Sequence, residues 1–161
     1  LLRYRKEAKM AIKIGDIVPD FSLKDQDEKE FKMSKFRKKR ILLSFHPLAW
    51  TSVCAKQMQS LEENFKTFKG LNTVPVGISV DSVPCKKAWA DSLGLKNLRI
   101  LSDFWPHGNV AFLLGLFIEK FGFSERANVI VDERGKVIFV RVYPIHELPD
   151  INEVIEFLKG D

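Results

Sequence analysis

Cysteine is scarce in this sequence: Cys54 and Cys85 are the two among 161 residues, which excludes a disulfide-dense secreted scaffold. No C-x-x-C pair occurs either, because Ala55, Lys56 and Gln57 follow Cys54, so the usual chemistry of a protein disulfide oxidoreductase is missing. His46, His107, His146 and the two cysteines show none of the short paired spacings of zinc sites, and no metal is expected. Long apolar runs are lacking as well. The longest stretches free of charged residues, Ile41 to Ala55 and Phe104 to Ile118, are broken by polar residues and prolines and are too short to span a bilayer, so no membrane segment is expected. No charged segment followed by an apolar stretch and a small-residue cleavage site opens the chain. The default compartment is then the reducing cytoplasm.

What is present is the composition of an ordinary globular domain, with 45% hydrophobic and 29% charged residues. The length suits one well-buried domain, expected over residues 10–161. Residues 1–9 are polar and basic and read as a leader or appended extension outside the fold. The net charge of +5 is a mild excess. Its basic clusters, Arg3 to Lys9 and Arg37 to Arg40, carry no aromatic residues spaced as a stacking platform, so a solvated basic edge is expected and no nucleic-acid partner.

Periodicity orders the elements. Ile41 to Phe45 is an apolar run bounded by charge and by Pro47, as in a strand buried on both faces. Cys54, Met58, Leu61, Phe65 and Phe68 then recur at spacings of three and four up to Gly70, which predicts one amphipathic helix. Val74 to Val80 predicts a second strand, and Ser82, Pro84, Ala88, Trp89, Leu93 and Gly94 a second capped helix. Strand, helix, strand, helix implies parallel pairing. Asn128 to Val131 and Val137 to Val142, separated by a turn ending in Gly135, predict an antiparallel hairpin, and Ile151, Val154, Ile155 and Leu158 a closing helix behind Asp150. Phe21 to Leu23 and Glu30 to Met33 fit a small additional hairpin at the start. A β-α-β segment followed by β-β-α is the order of an α/β, thioredoxin-like fold: a central mixed sheet flanked by helices.

Whether Thr51 or Ser52 caps the first helix, Cys54 falls in its first turn, where unpaired N–H groups and the helix dipole favour a thiolate. The plainer alternative is a buried cysteine packing beside Met58 as a small hydrophobe.

The segment Pro47-Leu48-Ala49-Trp50-Thr51-Ser52-Val53-Cys54 resembles the P-x-x-x-T/S-x-x-C active-site pattern of the peroxiredoxins. The resemblance extends from Ile14 onward. Gly15 to Phe21 resembles the family's G-x-x-A-P-D-F opening, with Val18 in place of Ala. Ile78 to Ser82, Ser102-Asp103 and Phe123 to Asp132 resemble its second core strand, a later loop, and the segment that carries its arginine.

That resemblance implies a thiol-dependent peroxidase that reduces hydrogen peroxide and alkyl hydroperoxides and needs no bound cofactor. Cys54 would be the peroxidatic nucleophile, Thr51 a hydrogen-bonding hydroxyl, Arg126 the group that stabilises the thiolate and leaving oxygen, and Pro47 the residue that closes the pocket. The plainer alternatives are a helix cap for Thr51, a surface pairing of Arg126 with Glu125 or Asp132, and a strand end at Pro47. His46, found also in the one-cysteine branch, would orient or bind the peroxide, unless it is structural. Gln57 stands where many members have Glu. Trp50, Trp89 and Phe123 are core residues by default, with a pocket mouth or subunit contact as the alternative.

Cys85 is the internal candidate for a resolving thiol. With Ser82 as cap it would lie in a helix first turn and carry thiolate character, at the same sheet edge as Cys54. A resolving cysteine in a C-terminal arm, or one five residues after Cys54, where Gln59 stands, has no counterpart here. An intramolecular Cys54–Cys85 pair and a one-cysteine cycle remain open. The resemblance also implies thioredoxin or a similar dithiol protein as reductant and a homodimer or higher homo-oligomer. The competing reading is a slow thiol redox sensor or chaperone-like scaffold of the same fold.

Overall fold

The apolar run at 41–45 forms the central strand of the sheet, β3 (Arg40–Phe45), and from Ile41 onward every residue of it is buried. In this computed structural model, residues 10–160 are described. The expected leader over residues 1–9 lies outside the described residues.

The order is β1 (Ser22–Asp25), β2 (Glu30–Lys32), β3, α1 (Ser52–Glu63), α2 (Phe65–Gly70), β4 (Thr73–Ser79), α3 (Val83–Leu93), β5 (Arg99–Ser102), α4 (Asn109–Leu113), β6 (Phe117–Ile118), β7 (Phe123–Ser124), β8 (Arg126–Val131), β9 (Val137–Tyr143) and α5 (Ile151–Lys159). Seven strands form one mixed sheet in the order β2-β1-β5-β4-β3-β8-β9, and β6-β7 form a separate pair. The predicted parallel pair is β3 and β4, β5 extends it in parallel, and β8 runs antiparallel to β3.

Alternation along the strands sorts side chains onto two faces. Ile41, Leu43 and Phe45 join Val76, Ile78, Val129 and α4's Val110 and Ala111 in one apolar cluster. Leu42 faces the other way, into a cluster with Cys54, Met58, Leu61, Trp89, Ile130, Val154 and Leu158, contributed largely by α1, α3 and α5. Burying each such side chain is worth roughly 1.5–3 kcal/mol, so the second cluster anchors α1 and α3 over the sheet.

The capping residues act as expected for α3 and α5: the Ser82 hydroxyl accepts from the Cys85 N–H, Gly94 closes α3 in the left-handed region, and the Asp150 carboxylate accepts from the Asn152 N–H. Gly135, at φ 82°, makes the turn between β8 and β9.

Two expectations are corrected, and four elements were not predicted. The helix predicted from Cys54 to Gly70 is two, because Asn64 leaves helical geometry and its side chain donates to the Ser60 carbonyl, ending α1. The strand β5 and the short elements α4, β6 and β7 carry too little periodicity to have been predicted. The predicted first hairpin is β1–β2, and it joins the main sheet because β1 also pairs antiparallel with β5. Ala88 is exposed, and the buried face of α3 is Lys86, Trp89 and Ala90.

Candidate active site

The C-terminal end of β3 and the N-terminal end of β8 lie at one sheet edge, because antiparallel pairing sets Phe45 opposite Ala127. That edge holds His46, Pro47 and Arg126, and α1 begins there with Thr51 as its first flanking residue and Cys54 three positions on. Cys54 is fully buried. Arg126 Nη1 donates to its Sγ at 3.4 Å. The guanidinium is itself buried and tied down: Nη1 also donates to Gln57 Oε1 at 2.7 Å, and Nε and Nη2 donate to the Ile145 carbonyl at 2.9 and 2.7 Å. These acceptors are neutral, so none of them cancels the positive charge that faces the sulfur.

Gln57 is held in turn. Its Nε2 donates to the Ser44 hydroxyl at 2.8 Å and to the Phe45 carbonyl at 3.2 Å. Ser44 donates to Asn128 Oδ1 at 2.8 Å, across its own β3–β8 register pair. Asn128 Nδ2 reaches the Tyr143 hydroxyl, which bonds Glu153 on α5, whose other oxygen pairs with Arg141. Burial is the main reason the Tyr143 hydroxyl is pushed up to about 12, so it stays a neutral member of the chain. A polar thread thus crosses an apolar face and ends on the guanidinium; satisfied networks of this kind fix geometry.

The loop before α1 is pinned from the other side. Asp81 Oδ2 accepts from the Ala49 N–H at 2.8 Å and from the Ser79 hydroxyl at 2.5 Å. Pro47 and Ala49 are buried, whereas Trp50 is exposed with φ at 67°. Thr51 is exposed, and its hydroxyl donates to the Leu48 carbonyl at 2.8 Å; it makes no hydrogen bond to Cys54, and its lone pairs are its free acceptors. It flanks α1 through its backbone without a side-chain cap.

His46 is fully buried, its ring 5.4 Å from that of Trp89. Its Nε2 lies 3.5 Å from the Lys86 ammonium, and its Nδ1 has no hydrogen-bond partner. Burial first, and then the Lys86 charge, hold the imidazole well below its ordinary range, so it is neutral. Trp89 is core and Phe123 stacks on the exposed Phe121.

Cys85 is partly buried, and like the fully buried Cys54 it is a free thiol. Its Sγ lies 3.9 Å from Asp81 Oδ1. Burial and then the Asp81 charge push the Cys85 thiol up, against the expectation of thiolate character from its helix position. Burial and the nearby carboxylate outweigh the dipole.

The structure therefore brings Cys54, Arg126, Gln57, His46 and Pro47 to one edge and leaves Thr51 turned to its own loop. The plainer reading of Cys54, packing beside Met58, holds for its surroundings but leaves out the guanidinium. Lys86, Asp81, Ser44 and Asn128 were missed by sequence reasoning. A signal existed for Lys86 alone: a lysine in phase with Trp89 and Ala90 on the buried stripe of α3. Among the described residues no cluster of three metal-ligating side chains occurs, and no helix is long and apolar enough to cross a membrane.

A thioredoxin-like sheet with a buried cysteine in a helix first turn beneath an arginine defines a class of thiol-based redox proteins. Comparison with known proteins narrows it. The profile of the AhpC/TSA family matches residues 14–140. Alkyl hydroperoxide reductase E of Mycobacterium tuberculosis is 34% identical over 140 residues, covering 86% of this chain and 91% of that protein. The crystal structure of peroxidoxin BcpB from the same organism superposes with a TM-score of 0.81 at 26% identity, covering 92% of this chain and 97% of the other. Reduced 2-Cys peroxiredoxin of Plasmodium vivax gives a TM-score of 0.82 at 25% identity, over 91% and 80% of the two chains. The chain belongs to the AhpC/TSA family, the peroxiredoxins, and its activity is that of a thiol-dependent peroxidase.

Proposed function

We propose that this peroxidase reduces hydrogen peroxide and alkyl hydroperoxides through Cys54. The Cys54 thiolate attacks the terminal peroxide oxygen, an S–O bond forms as the O–O bond breaks, and the departing hydroxide or alkoxide takes a proton to leave as water or alcohol. The observation that carries this reading is the Arg126 Nη1 contact with Cys54 Sγ at 3.4 Å, made by a guanidinium whose other bonds go to neutral acceptors. Arg126 steadies the thiolate and then the charge on the leaving oxygen. His46 orients the peroxide, Thr51 bonds it once its hydroxyl turns from the Leu48 carbonyl, and Pro47 limits water. Because Cys54 is shielded from solvent, peroxide enters by a local opening of this edge.

The sulfenic acid is then reduced by thioredoxin or a similar dithiol protein, which forms a mixed disulfide with loss of water and resolves it with its second thiol. A cytoplasmic setting and a homodimer or larger assembly complete the reading. The raised pKa of Cys85 favours this external route over a fast internal one, since thiolate is the attacking form.

Intact-mass analysis of reduced protein, quenched rapidly with a thiol-blocking reagent after one equivalent of hydrogen peroxide, tests both parts. A gain of one oxygen at Cys54 is expected. A loss of two hydrogens would instead assign Cys85 as the resolving thiol, and no rapid change would remove the peroxidase assignment to Cys54. Cys54→Ser is expected to consume no peroxide.

A further inference from the structure

Lys86 is a fully buried lysine on α3, and among the described residues it makes no ion pair. Its polar contact is His46 Nε2 at 3.5 Å. Two carboxylates attract it from farther off, and both are engaged elsewhere: Asp81 by the Ala49 N–H and the Ser79 hydroxyl, Asp103 by the N–H groups of Val110 and Ala111. Stability does not account for a lysine here. A methionine would fill the same stripe beside Trp89 and Ala90 without desolvating an ammonium.

We infer that Lys86 is a positioning residue of the Cys54 site: its ammonium donates to His46 Nε2, fixes the imidazole as the Nδ1–H tautomer, and adds a second positive charge to that of Arg126 around the sulfur. The donor logic is strict, because an ammonium has no acceptor, so the ring nitrogen facing it must carry the lone pair. The proton then sits on Nδ1, the one buried side-chain nitrogen or oxygen without a partner among the described residues. His46 is thereby held as a neutral donor next to Pro47, within reach of the Ser44 backbone. Loss of the Lys86 proton frees the ring to change tautomer. The groups that act on Lys86 come from every element around it: Asp81 before α3, Cys85 on α3, Cys54 on α1 and Asp103 after β5, while Arg126 acts on His46 from β8. Burial outweighs these attractions and lowers the lysine to about 8, so the device would change state just above neutral pH.

The effect on peroxide chemistry rests on the Cys54 reading; the tautomer does not. In ¹⁵N NMR of the wild-type protein, with His46 assigned by its loss in His46→Gln, the Nδ1–H tautomer is expected at pH 7, giving way with a midpoint near 8. An Nε2–H tautomer at pH 7 would overturn the inference, and the tautomer itself is read on the wild-type protein. In Lys86→Met, oxidation of Cys54 by hydrogen peroxide at pH 7, resolved to each cysteine by mass spectrometry, is expected to slow about tenfold, since a positive neighbour favours the thiolate. Lys86→Arg, which keeps the charge, should recover part of that rate. A Lys86→Met protein with an unchanged rate of Cys54 oxidation and an unchanged His46 tautomer would overturn the inference. Wild type that fails to react rapidly with peroxide while its His46 is Nδ1–H would instead defeat the peroxidase role of Cys54 and leave the Lys86–His46 pairing standing.

Discussion

Arg126 Nη1 stands 3.4 Å from Cys54 Sγ, a contact between residues 72 positions apart that exists because β8 begins where β3 ends. A charge-assisted bond of this kind is worth about 1.5–3 kcal/mol. Arg126→Ala should therefore slow oxidation of Cys54 about 10- to 100-fold in stopped-flow measurements. Arg126→Lys should recover only part, because an ammonium cannot bond Cys54, Gln57 and the Ile145 carbonyl together in the guanidinium's planar geometry.

Gln57 links that arginine to the sheet, accepting from Arg126 at 2.7 Å while donating to Ser44 at 2.8 Å. Gln57→Leu leaves buried donors and acceptors unpaired and should cost about 1–3 kcal/mol of stability in urea unfolding. Its peroxide reactivity should also fall, with wild-type Arg126 still present. A Gln57→Leu protein of wild-type reactivity would show that the guanidinium is positioned by the Ile145 carbonyl alone.

Stability should respond to pH through His46 and Lys86, with the same sign. Unfolded His46 takes up a proton near 6.5, whereas the buried ring, held well below that by burial and Lys86, does not. The unfolded chain then binds more protons, and stability falls as the pH drops below 6.5. For Lys86 the folded value is about 8 and the ordinary value 10.5, so the unfolded chain again holds the extra proton and stability rises between the two. Urea midpoints across pH 5–10 should show both slopes; Lys86→Met is expected to flatten the upper one and His46→Gln the lower.

Gly77, on β4, is closed in by the Met58 sulfur and by Ile100 and His46 side-chain carbons at 3.1 and 3.3 Å from the position a Cβ would take. An added methyl must push Met58, which is fully buried, and crowd the His46 ring. Gly77→Ala should destabilise the fold by about 1–3 kcal/mol. Crystallography or NMR of the variant should show Met58 displaced.

The elements read most plainly from sequence are those whose physics is local. β3 is a charge-bounded apolar run, α3 carries Ser82 and Gly94 at its ends, and α5 repeats apolar residues at helical spacing behind Asp150. The break at Asn64 was hidden because the apolar stripe continues in phase through α2, and a side-chain bond to the Ser60 carbonyl leaves no mark on that pattern. β5 was hidden because it is four residues long, and its strand character comes from β4 and β1 on either side.

For the site, local pattern was enough to identify the nucleophile candidate and its place in a helix first turn, and the family pattern named Arg126, Thr51, Pro47 and His46. How these groups are wired follows from the packing of distant segments. Where the Thr51 hydroxyl points, which neutral acceptors surround Arg126, and that Lys86 meets His46 depend on side chains from β3, β8, α1 and α3 converging at one edge. The Cys85 thiol shows the difference most clearly. Its helix position favours the anion, a preference written into neighbouring residues, but burial and the Asp81 carboxylate reverse it, because electrostatic energy depends on distance through space and on lost solvent.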